Sequence, residues 1–493
     1  MNRVLLMYPP GKAYQRGEDR AQCNLDDSCV TCVRACNDMG YSAAVLKGRG
    51  YEVMLRDYQT EKASMEAVKE DVLSFLPDII IISTTNATVP EDIEIINRIS
   101  GFHPCQFVLK GAIFFAPPHG LLETLDLNNV CCLIGTEIDT VVGEVADCIS
   151  GNSDRFEEIP GIIYKKDGAF KKTRFDTWCD DLDSIPFPAR SLMKNELYCR
   201  PDTGRPMATI QVARGCPSGC TFCLTPVISG KAVRKRSVDN VFEEISECYY
   251  KYGIKDFFFK ADTFTIDARW AEELCDRIIN SDLHKKIEFT VNSRVKPLDS
   301  SLLEKLKRAG CFTIAVGFES GNDDTLRKIK KGTTREDNIR AAELIKKSGI
   351  PLFGFFMIGF PWESREDIIS NLEFVFEIDP DFLEVHIAMP YYGTELYSQC
   401  EAYNTVSRVG WGSDFFSPNT VGTQTVSMEE IQRLRNKYLL KFYLRPKYIF
   451  KKLFGAVAHP VVMLNYVKHG LKLLRVVFSK KGKKADKSLR MFL

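Results

Sequence analysis

The chain has 493 residues, of which 45% are hydrophobic and 27% are charged, and its formal net charge is +1. This length exceeds a single ordinary core and predicts about two to four domains, while the even charge balance argues against a nucleic-acid coat protein. Seventeen cysteines without a secretory signal predict a reducing, cytoplasmic setting, and no apolar run reaches the roughly 18–20 residues that span a bilayer.

Residues 1–150 predict an α/β domain. Five short apolar runs bounded by turn residues indicate buried strands at Arg3–Tyr8, Tyr51–Tyr58, Asp78–Thr84, Gln106–Gly111 and Val130–Gly135. Apolar residues at helical spacing fill the intervals. Strands that alternate with helices over short connections predict a doubly wound parallel sheet, which binds ligands beyond the carboxyl ends of its strands.

The loop after the first predicted strand is rich in thiols. Cys23, Cys29, Cys32 and Cys36 fall within fourteen residues of sequence. Four clustered thiols favour a second metal site, either an auxiliary [4Fe–4S] cluster or a structural zinc. The alternative is that they are unligated cysteines in a thiol-rich chain.

Residues 151–207 predict a linker, because turn-forming residues are frequent there. Gly161–Tyr164 and Ala169–Thr173 flank Asp167-Gly168, a pair typical of a tight hairpin turn. We assign no chemistry to this segment.

Three further cysteines follow a strand-like run at residues 208–213. Cys216, Cys220 and Cys223 have C-x3-C-x2-C spacing on a short loop that contains two glycines, and glycines let the backbone fold so that the sulfurs converge. Thiolates suit iron–sulfur clusters or zinc. Three ligands leave one metal position open for chemistry, whereas a closed zinc site needs four, and so crowded a loop disfavours a disulfide.

Residues 208–400 predict six strand–helix units. After the strand that precedes Cys216, strand-like runs follow at Asp256–Asp262, Glu288–Arg294, Thr313–Ser320, Leu352–Gly359 and Phe382–Met389. In barrels built from such units, function collects at the carboxyl ends of the strands.

The cysteine loop, with Phe222 before its last cysteine, resembles the signature of the radical S-adenosylmethionine (SAM) enzymes. The resemblance implies a partial (β/α)6 TIM-type barrel and a [4Fe–4S] cluster on Cys216, Cys220 and Cys223, whose fourth iron binds the amino and carboxylate groups of SAM. It also implies reductive cleavage of SAM to a 5′-deoxyadenosyl radical that abstracts hydrogen from an unactivated carbon. An electron donor such as a flavodoxin or ferredoxin is the expected partner.

Polar residues at successive predicted strand ends match the positions at which radical SAM enzymes bind SAM. Asp262 lies where the family often has Gly-Gly-Glu to hold the SAM amine, and Arg294 is a candidate partner of the SAM carboxylate. Glu319 and Ser320 match the family's ribose motif. Phe222 is the fifth residue expected to bind the cofactor. We assign no catalytic residue.

Residues 1–150 resemble the B12-binding-type domain of one radical SAM subfamily, which includes hopanoid-modifying enzymes and the anaerobic magnesium-protoporphyrin ester cyclase. Gly111–Phe115 lies at a glycine-rich turn of that subfamily, and Glu137 matches the second acid of its Gly-Glu-x-Glu segment. The chain has no Asp-x-His-x-x-Gly, which excludes a histidine ligand to cobalt of that type. Cobalamin is therefore a candidate cofactor, and a vestigial domain that only supports the barrel is the alternative.

Residues 401–493 predict a helical, basic C-terminal region. From Lys441 to Leu493, fourteen Lys or Arg accompany one acid, Asp486, among interleaved apolar residues. Such helices suit an anionic membrane surface, with RNA as a disfavoured rival and a helical cap with a solvated basic face as the structural alternative. Leu444–Tyr448 resembles the tail of subfamily members with greasy substrates, which implies a small-molecule or lipid-like substrate and peripheral contact with the inner face of the membrane.

The reaction outcome stays open at this point. Cobalamin would favour methyl transfer to the substrate radical, whereas a second cluster alone would favour oxidation or carbon–carbon coupling. A methylthiotransferase-like enzyme is one alternative, although those enzymes spread three N-terminal cysteines over different loops and have a β-barrel tail. A non-enzymatic iron–sulfur scaffold or redox sensor is the other, and the polar strand ends argue against it.

Overall fold

The computed structural model describes residues 2–16, 33–117, 120, 122–405, 422–457 and 460–478 of the chain. Seven strands form a first sheet: β1 (Arg3–Tyr8), β2 (Glu52–Asp57), β3 (Ile79–Ser83), β4 (Gln106–Lys110), β5 (Val130–Ile134), β6 (Ile162–Lys166) and β7 (Ala169–Lys172). Their order is β2-β1-β3-β4-β5-β6-β7, and the first five are parallel.

Helices cover both faces of this sheet: α1 (Asn37–Gly48), α2 (Met65–Phe75), α3 (Val89–Ser100) and α4 (Ile138–Ile149). A parallel strand covered on both faces is apolar at every position, and Ile79–Ile82 of β3 are accordingly at most 1% exposed. The predicted doubly wound sheet is confirmed.

The hairpin predicted for the linker extends this sheet instead of standing apart. β6 pairs antiparallel with β5, and β7 pairs antiparallel with β6. Asp167 and Gly168 both have positive φ, 53° and 80°, which is the geometry of a two-residue turn that returns one strand along the other. The first sheet therefore reaches past residue 150, to Lys172.

The second sheet is the barrel. Its chain segment contains β8 (Met207–Gln211), β9 (Ala213–Arg214), β10 (Arg234–Lys235), β11 (Asp256–Lys260), β12 (Glu288–Arg294), β13 (Cys311–Glu319), β14 (Leu352–Ile358) and β15 (Phe382–Ile387). Six parallel strands are ordered β15-β14-β13-β12-β11-β8, while β9 and β10 form a small antiparallel pair. The six predicted strands are confirmed.

Eight helices accompany these strands: α5 (Thr225–Ile228), α6 (Val238–Tyr252), α7 (Ala268–Asn280), α8 (Ser300–Ala309), α9 (Asp323–Lys328), α10 (Arg335–Ser348), α11 (Arg365–Ile378) and α12 (Glu395–Ala402). The Ser237 side chain accepts a hydrogen bond from the Asn240 N–H and begins α6. Gly310 and Gly349, in the left-handed conformation, end α8 and α10. These local signals agree with the predicted helix boundaries.

The barrel sheet is open, so it has two edges, and the first edge is bonded by residues outside the barrel. The Thr209 carbonyl of β8 accepts from Asn37 Nδ2 of α1 at 2.6 Å and from Arg190 Nη2 at 2.9 Å. Because an unpaired edge carbonyl otherwise needs another hydrogen-bond donor, the N-terminal unit and the linker complete this edge.

Three C-terminal helices follow: α13 (Met428–Tyr443), α14 (Pro446–Ala456) and α15 (Pro460–Phe478). Helices α13 and α14 lie at the other edge, whereas α15 bonds to Pro201 and Asp202, just before β8. The Tyr443 hydroxyl donates to the Leu383 carbonyl of β15 at 2.7 Å and accepts from the Leu383 N–H at 2.9 Å. Arg435 Nε donates to the Val385 carbonyl at 2.5 Å. Within the described residues, no helix combines the length and apolarity needed to cross a bilayer.

A buried group of ion pairs joins the first unit to the barrel. Glu137, at the start of α4, accepts from Arg234 at 2.9 and 2.7 Å and lies 3.2 Å from Arg214. Arg214 also binds Asp139 through both of its terminal nitrogens. Burial opposes ionisation of Glu137, but Arg214 and Arg234 outweigh it and lower the pKa of this carboxyl. We call these four residues the interdomain ion-pair cluster.

We expect Glu137→Gln to lower the thermal unfolding midpoint, because breaking a buried ion pair costs about 3–5 kcal/mol. Differential scanning calorimetry measures the change. Since the folded pKa of Glu137 is lowered, the deficit is full at neutral pH and shrinks as the pH falls through that folded pKa. The control is Glu157→Gln, which removes an exposed partner of Lys166 and leaves the midpoint unchanged. Equal midpoints for both variants would contradict a role in joining the units.

Candidate active site

The three cysteines of the second thiol motif lie at one end of a large cavity inside the barrel. The cavity has a volume of about 710 Å³, and Cys216, Cys220 and Cys223 all line it. Cys216 and Cys220 are buried, and Cys223 is partly buried. Among the described residues, no three Cys, His, Asp or Glu side chains are arranged around a single metal ion. A cubane cluster does not need that arrangement, because each thiolate binds a different iron, so the donor set fits a [4Fe–4S] cluster.

Asp262 fastens the cysteine loop to the barrel from both sides. One carboxylate oxygen accepts from the Gly215 N–H at 2.7 Å, next to Cys216, and the other accepts from Thr225 Oγ1 at 3.0 Å, two residues after Cys223. The side chain also lines the cavity, where the sequence places it as a ligand of the SAM amine. The geometry thus gives Asp262 a role as loop anchor that the resemblance does not predict.

Arg294, at the end of β12, lies against the cysteine loop. Its Nη1 is 3.3 Å from Cys220 Sγ, and its Nη2 donates to the Lys331 carbonyl. Burial lowers the pKa of Arg294, but Cys220, Cys216 and the Glu319 carboxylate raise it more, so the guanidinium stays charged. A permanent cation therefore stands beside the thiols and lines the same cavity.

Glu319, at the end of β13, is a buried carboxylate aimed into the cavity. Its φ is +64°, an uncommon value for a residue with a side chain, and Asn371 Nδ2 donates to its carbonyl at 3.2 Å. Lys331 Nζ donates to its Oε1 at 2.7 Å. Gly317 makes room for this pair, because a Cβ there would lie 2.4 Å from Glu319 Oε1.

The other two predicted cofactor residues differ in their placement. Phe222 lines the cavity and packs on Phe360, with ring centroids 6.3 Å apart. Ser320 is fully buried, and its Oγ accepts from the Asn322 N–H at 3.1 Å. The Ser320 hydroxyl thus shapes the turn into α9, and its contact with a cofactor stays a prediction.

Below the cysteines, the cavity is mainly apolar. Alternate residues of a strand point to the same side, so Phe353, Phe355 and Met357 of β14 all face the lumen. On β13, the alternate lining residues from Thr313 to Glu319 span roughly 20 Å at about 3.3 Å per residue. The aromatic lining continues with Phe258, Phe312, Phe382, Tyr443, Tyr448 and Tyr466.

Two site residues are absent from the sequence-based predictions. Lys331, the buried partner of Glu319, belongs to no motif, and only its position beside Gly332 marks a turn. His386 of β15 lines the cavity and stacks on Phe355 with ring centroids 5.7 Å apart. Burial, with a smaller effect of Arg435, lowers the pKa of His386 to about 4, so this imidazole is neutral at neutral pH. The sequence signal that could have identified His386 is its inward-facing position on a predicted strand.

Most of the N-terminal cysteine group lies outside the described residues, which include Cys36 but not Cys23, Cys29 or Cys32. Cys36 is buried in the core of the first unit, with Sγ 3.2 Å from the Tyr198 hydroxyl. Burial and the nearby Asp57 raise the pKa of this thiol well above its usual value. Cys36 therefore has the buried setting of a core thiol, and the second metal site stays a prediction because its other three cysteines lie outside the described residues.

Cobalamin, if held where such sheets bind ligands, would lie between the first unit and the barrel. There Ala112 and Phe115 pack against Leu224, Ile228 and Tyr391. Only a small gap remains among Ala112, Leu224 and Tyr391. The described residues at this boundary are therefore packed against one another, and we derive no step through a corrin.

Comparisons with known proteins agree with this geometry. Residues 210–375 match the sequence profile of the radical SAM superfamily. An uncharacterized methyltransferase of Pyrococcus horikoshii is 29% identical over 84% of this chain and 89% of its own length. The anaerobic magnesium-protoporphyrin IX monomethyl ester cyclase of Rubrivivax gelatinosus is 25% identical over 73% of this chain and 65% of its own.

A solved structure also shares the fold. The radical SAM methyltransferase TsrM from Kitasatospora setae, in a structure with cobalamin and a [4Fe–4S] cluster bound, superposes with a TM-score of 0.64 at 18% identity. The match covers 81% of this chain and 78% of that one. At this identity the likeness concerns the fold.

We expect Asp262→Ala to reduce the iron bound after anaerobic reconstitution to less than half of the wild-type amount. The substitution leaves the Gly215 N–H and Thr225 hydroxyl without their shared acceptor, which costs about 1–3 kcal/mol for each buried donor and loosens the loop. Iron and acid-labile sulfide analysis measures the loss.

The matched control for this experiment is Asp78→Ala. It removes a carboxylate that accepts from the Arg3 N–H at 2.8 Å in the first sheet, far from the cysteine loop. Full iron uptake by Asp262→Ala, or an equal loss in both variants, would contradict the anchoring role.

Proposed function

Because the chain belongs to the radical SAM superfamily, we propose that Cys216, Cys220 and Cys223 hold the [4Fe–4S] cluster at which this enzyme cleaves SAM. The cluster, when bound, supplies the electron that splits SAM into methionine and a 5′-deoxyadenosyl radical. The observation that carries the proposal is that all three thiols line one large cavity. The buried site keeps water from a reactive radical.

The residues around the cysteines have complementary charges for SAM. We assign Glu319 to the ribose hydroxyls, because its buried carboxylate has a second oxygen beside the one that Lys331 binds. Arg294 is the cation closest to the thiols and suits the methionine carboxylate of SAM. Asp262 holds the loop, and Phe222 lines the same end of the cavity.

We propose that the substrate lies in the aromatic lumen below SAM. The lumen walls are rings and aliphatic side chains over roughly 20 Å, and binding sites of this kind hold mainly apolar molecules. A lipid-like or extended aromatic substrate matches this lining, with the carbon to be attacked nearest to Cys216, Cys220 and Cys223. His386, neutral at neutral pH, adds one hydrogen-bonding group to the wall.

The enzyme methylates or oxidatively modifies its substrate, as the relatives do. Methylation through cobalamin requires a bound corrin, whereas the oxidative outcome is expected without one, so cobalamin content distinguishes the two. Binding one would require the packed boundary at Phe115 and Tyr391 to open. Cobalt analysis of protein purified anaerobically decides: one cobalt per chain assigns methylation through a corrin, and its absence assigns oxidative chemistry.

A second proposal concerns the membrane. Ten of the fourteen exposed large apolar side chains of the described residues lie between Leu444 and Leu471. Phe450, Phe454, Val457, Val461 and Leu464 are among them, with exposed fractions of 58–74%. Lys447 and Lys451 flank this apolar face with exposed ammonium groups. Apolar side chains ringed by cations suit an anionic lipid surface, so we propose that α14 and α15 dock there.

We expect Cys216→Ala to abolish SAM cleavage, because the cluster would lose one of its three protein ligands. Release of 5′-deoxyadenosine under anaerobic, reducing conditions, quantified by liquid chromatography, is the measurement. Cys275→Ala, which removes a buried thiol of α7, is the control and retains the activity. Undiminished release from the Cys216 variant would overturn the assignment.

For the membrane surface, we expect the double variant Phe450→Glu/Phe454→Glu to lose binding to vesicles that contain phosphatidylserine. The new charges remove the apolar contact and repel the anionic lipid. Co-sedimentation at low and high salt measures binding. Tyr250→Glu, which changes a 71% exposed ring on α6, is the control and binds like the wild type. Equal binding of both variants would refute the docking face.

A further inference from the structure

Lys452 of α14 lies at the end of the lumen opposite the cysteines. It lines the cavity, and its Nζ is 3.8 Å from the centre of the Phe382 ring. The rings of Tyr448 and Tyr466 lie 5.5 and 5.9 Å from the same nitrogen. Three aromatic rings thus surround one ammonium group, and each attracts it weakly.

The charge of Lys452 is not neutralised by an acid. Lys452 forms no hydrogen bond or ion pair with any residue that the structure describes. The two acids whose charges raise the pKa of Lys452 already have other partners: Asp381 binds Lys451 at 2.8 Å, and Asp202 binds Arg200 at 2.6 Å. A partly buried cation without a counter-ion is costly unless it meets an anion in the working state of the protein.

Lys452 and the cysteines lie at opposite ends of the cavity proposed to hold the substrate. Phe382 begins β15, and the carboxyl ends of β12 and β13 carry Arg294 and Glu319. The cavity connects the two ends over roughly 20 Å of aromatic wall. A molecule that fills it therefore presents one end to the thiols and the other to Lys452.

We infer that Lys452 binds an anionic group, a carboxylate or a phosphate, at the far end of a substrate whose apolar body lies along the lumen. The inference rests on the proposed function, in which the lumen holds the substrate. It narrows the substrate class to anionic amphiphiles with the reacting carbon far from the charged group. Lys452 is a binding and positioning residue, since it is remote from the reacting atoms.

The titration of Lys452 supports this role. Burial, together with Lys451, lowers its pKa to about 8, while Asp381 and Asp202 act in the opposite direction. The ammonium is therefore charged at pH 7 and loses its proton as the pH rises through about 8. The tyrosines on either side, Tyr448 and Tyr466, stay neutral in this range because burial raises their pKa. Affinity for an anion should fall above about pH 8.

The test uses three probes that share a dodecyl chain: dodecanoate, dodecyl phosphate and dodecanol, each below its micelle concentration. Isothermal titration calorimetry at pH 7 is expected to show that at least one anion binds the wild-type protein about tenfold or more tighter than dodecanol. A preference for dodecanoate identifies the group as a carboxylate, and a preference for dodecyl phosphate identifies it as a phosphate.

Variants assign this preference to Lys452. Lys452→Met, which keeps the length of the side chain without its charge, is expected to abolish the preference, and Lys452→Arg is expected to retain it. Lys451→Met removes the exposed neighbouring lysine and serves as the matched control, with the preference unchanged. The Phe450→Glu/Phe454→Glu variant, which should bind the probes normally, controls for adsorption to the exposed apolar face.

The outcomes separate this inference from the proposed function. Equal affinity of all three probes, or a preference that survives in Lys452→Met, overturns the anion site and leaves the lumen as a substrate chamber. No binding of any probe overturns the chamber and the anion site together. Cys216→Ala is expected to bind the probes with unchanged affinity. Loss of the cluster therefore causes neither a loss of anion preference nor a loss of probe binding.

Discussion

The open edges of the six-stranded barrel are the constraint on which this structure depends. A closed barrel pairs every strand, whereas this sheet leaves Thr209 of β8 and Leu383 of β15 with unpaired backbone groups. Asn37 and Arg190 bond one edge, and Tyr443 and Arg435 bond the other. The N-terminal unit with the linker therefore completes one edge of the barrel sheet, and the C-terminal helices complete the other. The lumen is enclosed only when both regions are in place.

The same arrangement separates two chemical environments within one cavity. At the carboxyl ends of the strands, thiols, Arg294 and the Glu319–Lys331 pair place many charges in a small buried volume, where electrostatic interactions are strong. Along the walls, aromatic rings provide dispersion and exclude water. In the proposed function, SAM with its charged groups and a largely apolar substrate bind at different depths of this one cavity.

Local sequence patterns carried much of the fold, because strands such as Arg3–Tyr8 and Ile79–Ser83 are marked by hydrophobic runs. The cysteine spacing likewise singled out three residues that line one cavity. Contacts between residues far apart in sequence were beyond such patterns: Lys331 donates to Glu319, which has a positive φ at the end of β13, and Lys452 contacts Phe382 across seventy residues. The contact of Cys36 with Tyr198, more than 160 residues away, was likewise beyond such patterns.

Through the interdomain ion-pair cluster, both folding units contribute residues that hold the start of the cysteine loop. Arg214 stands two residues before Cys216, and its counter-ions Glu137 and Asp139 belong to the other unit. A barrel excised from its neighbour would carry Arg214 and Arg234 with their carboxylates removed, at the very root of the loop. Natural recombination or design that exchanges the first unit must therefore preserve two acids at the start of α4, whatever else it replaces.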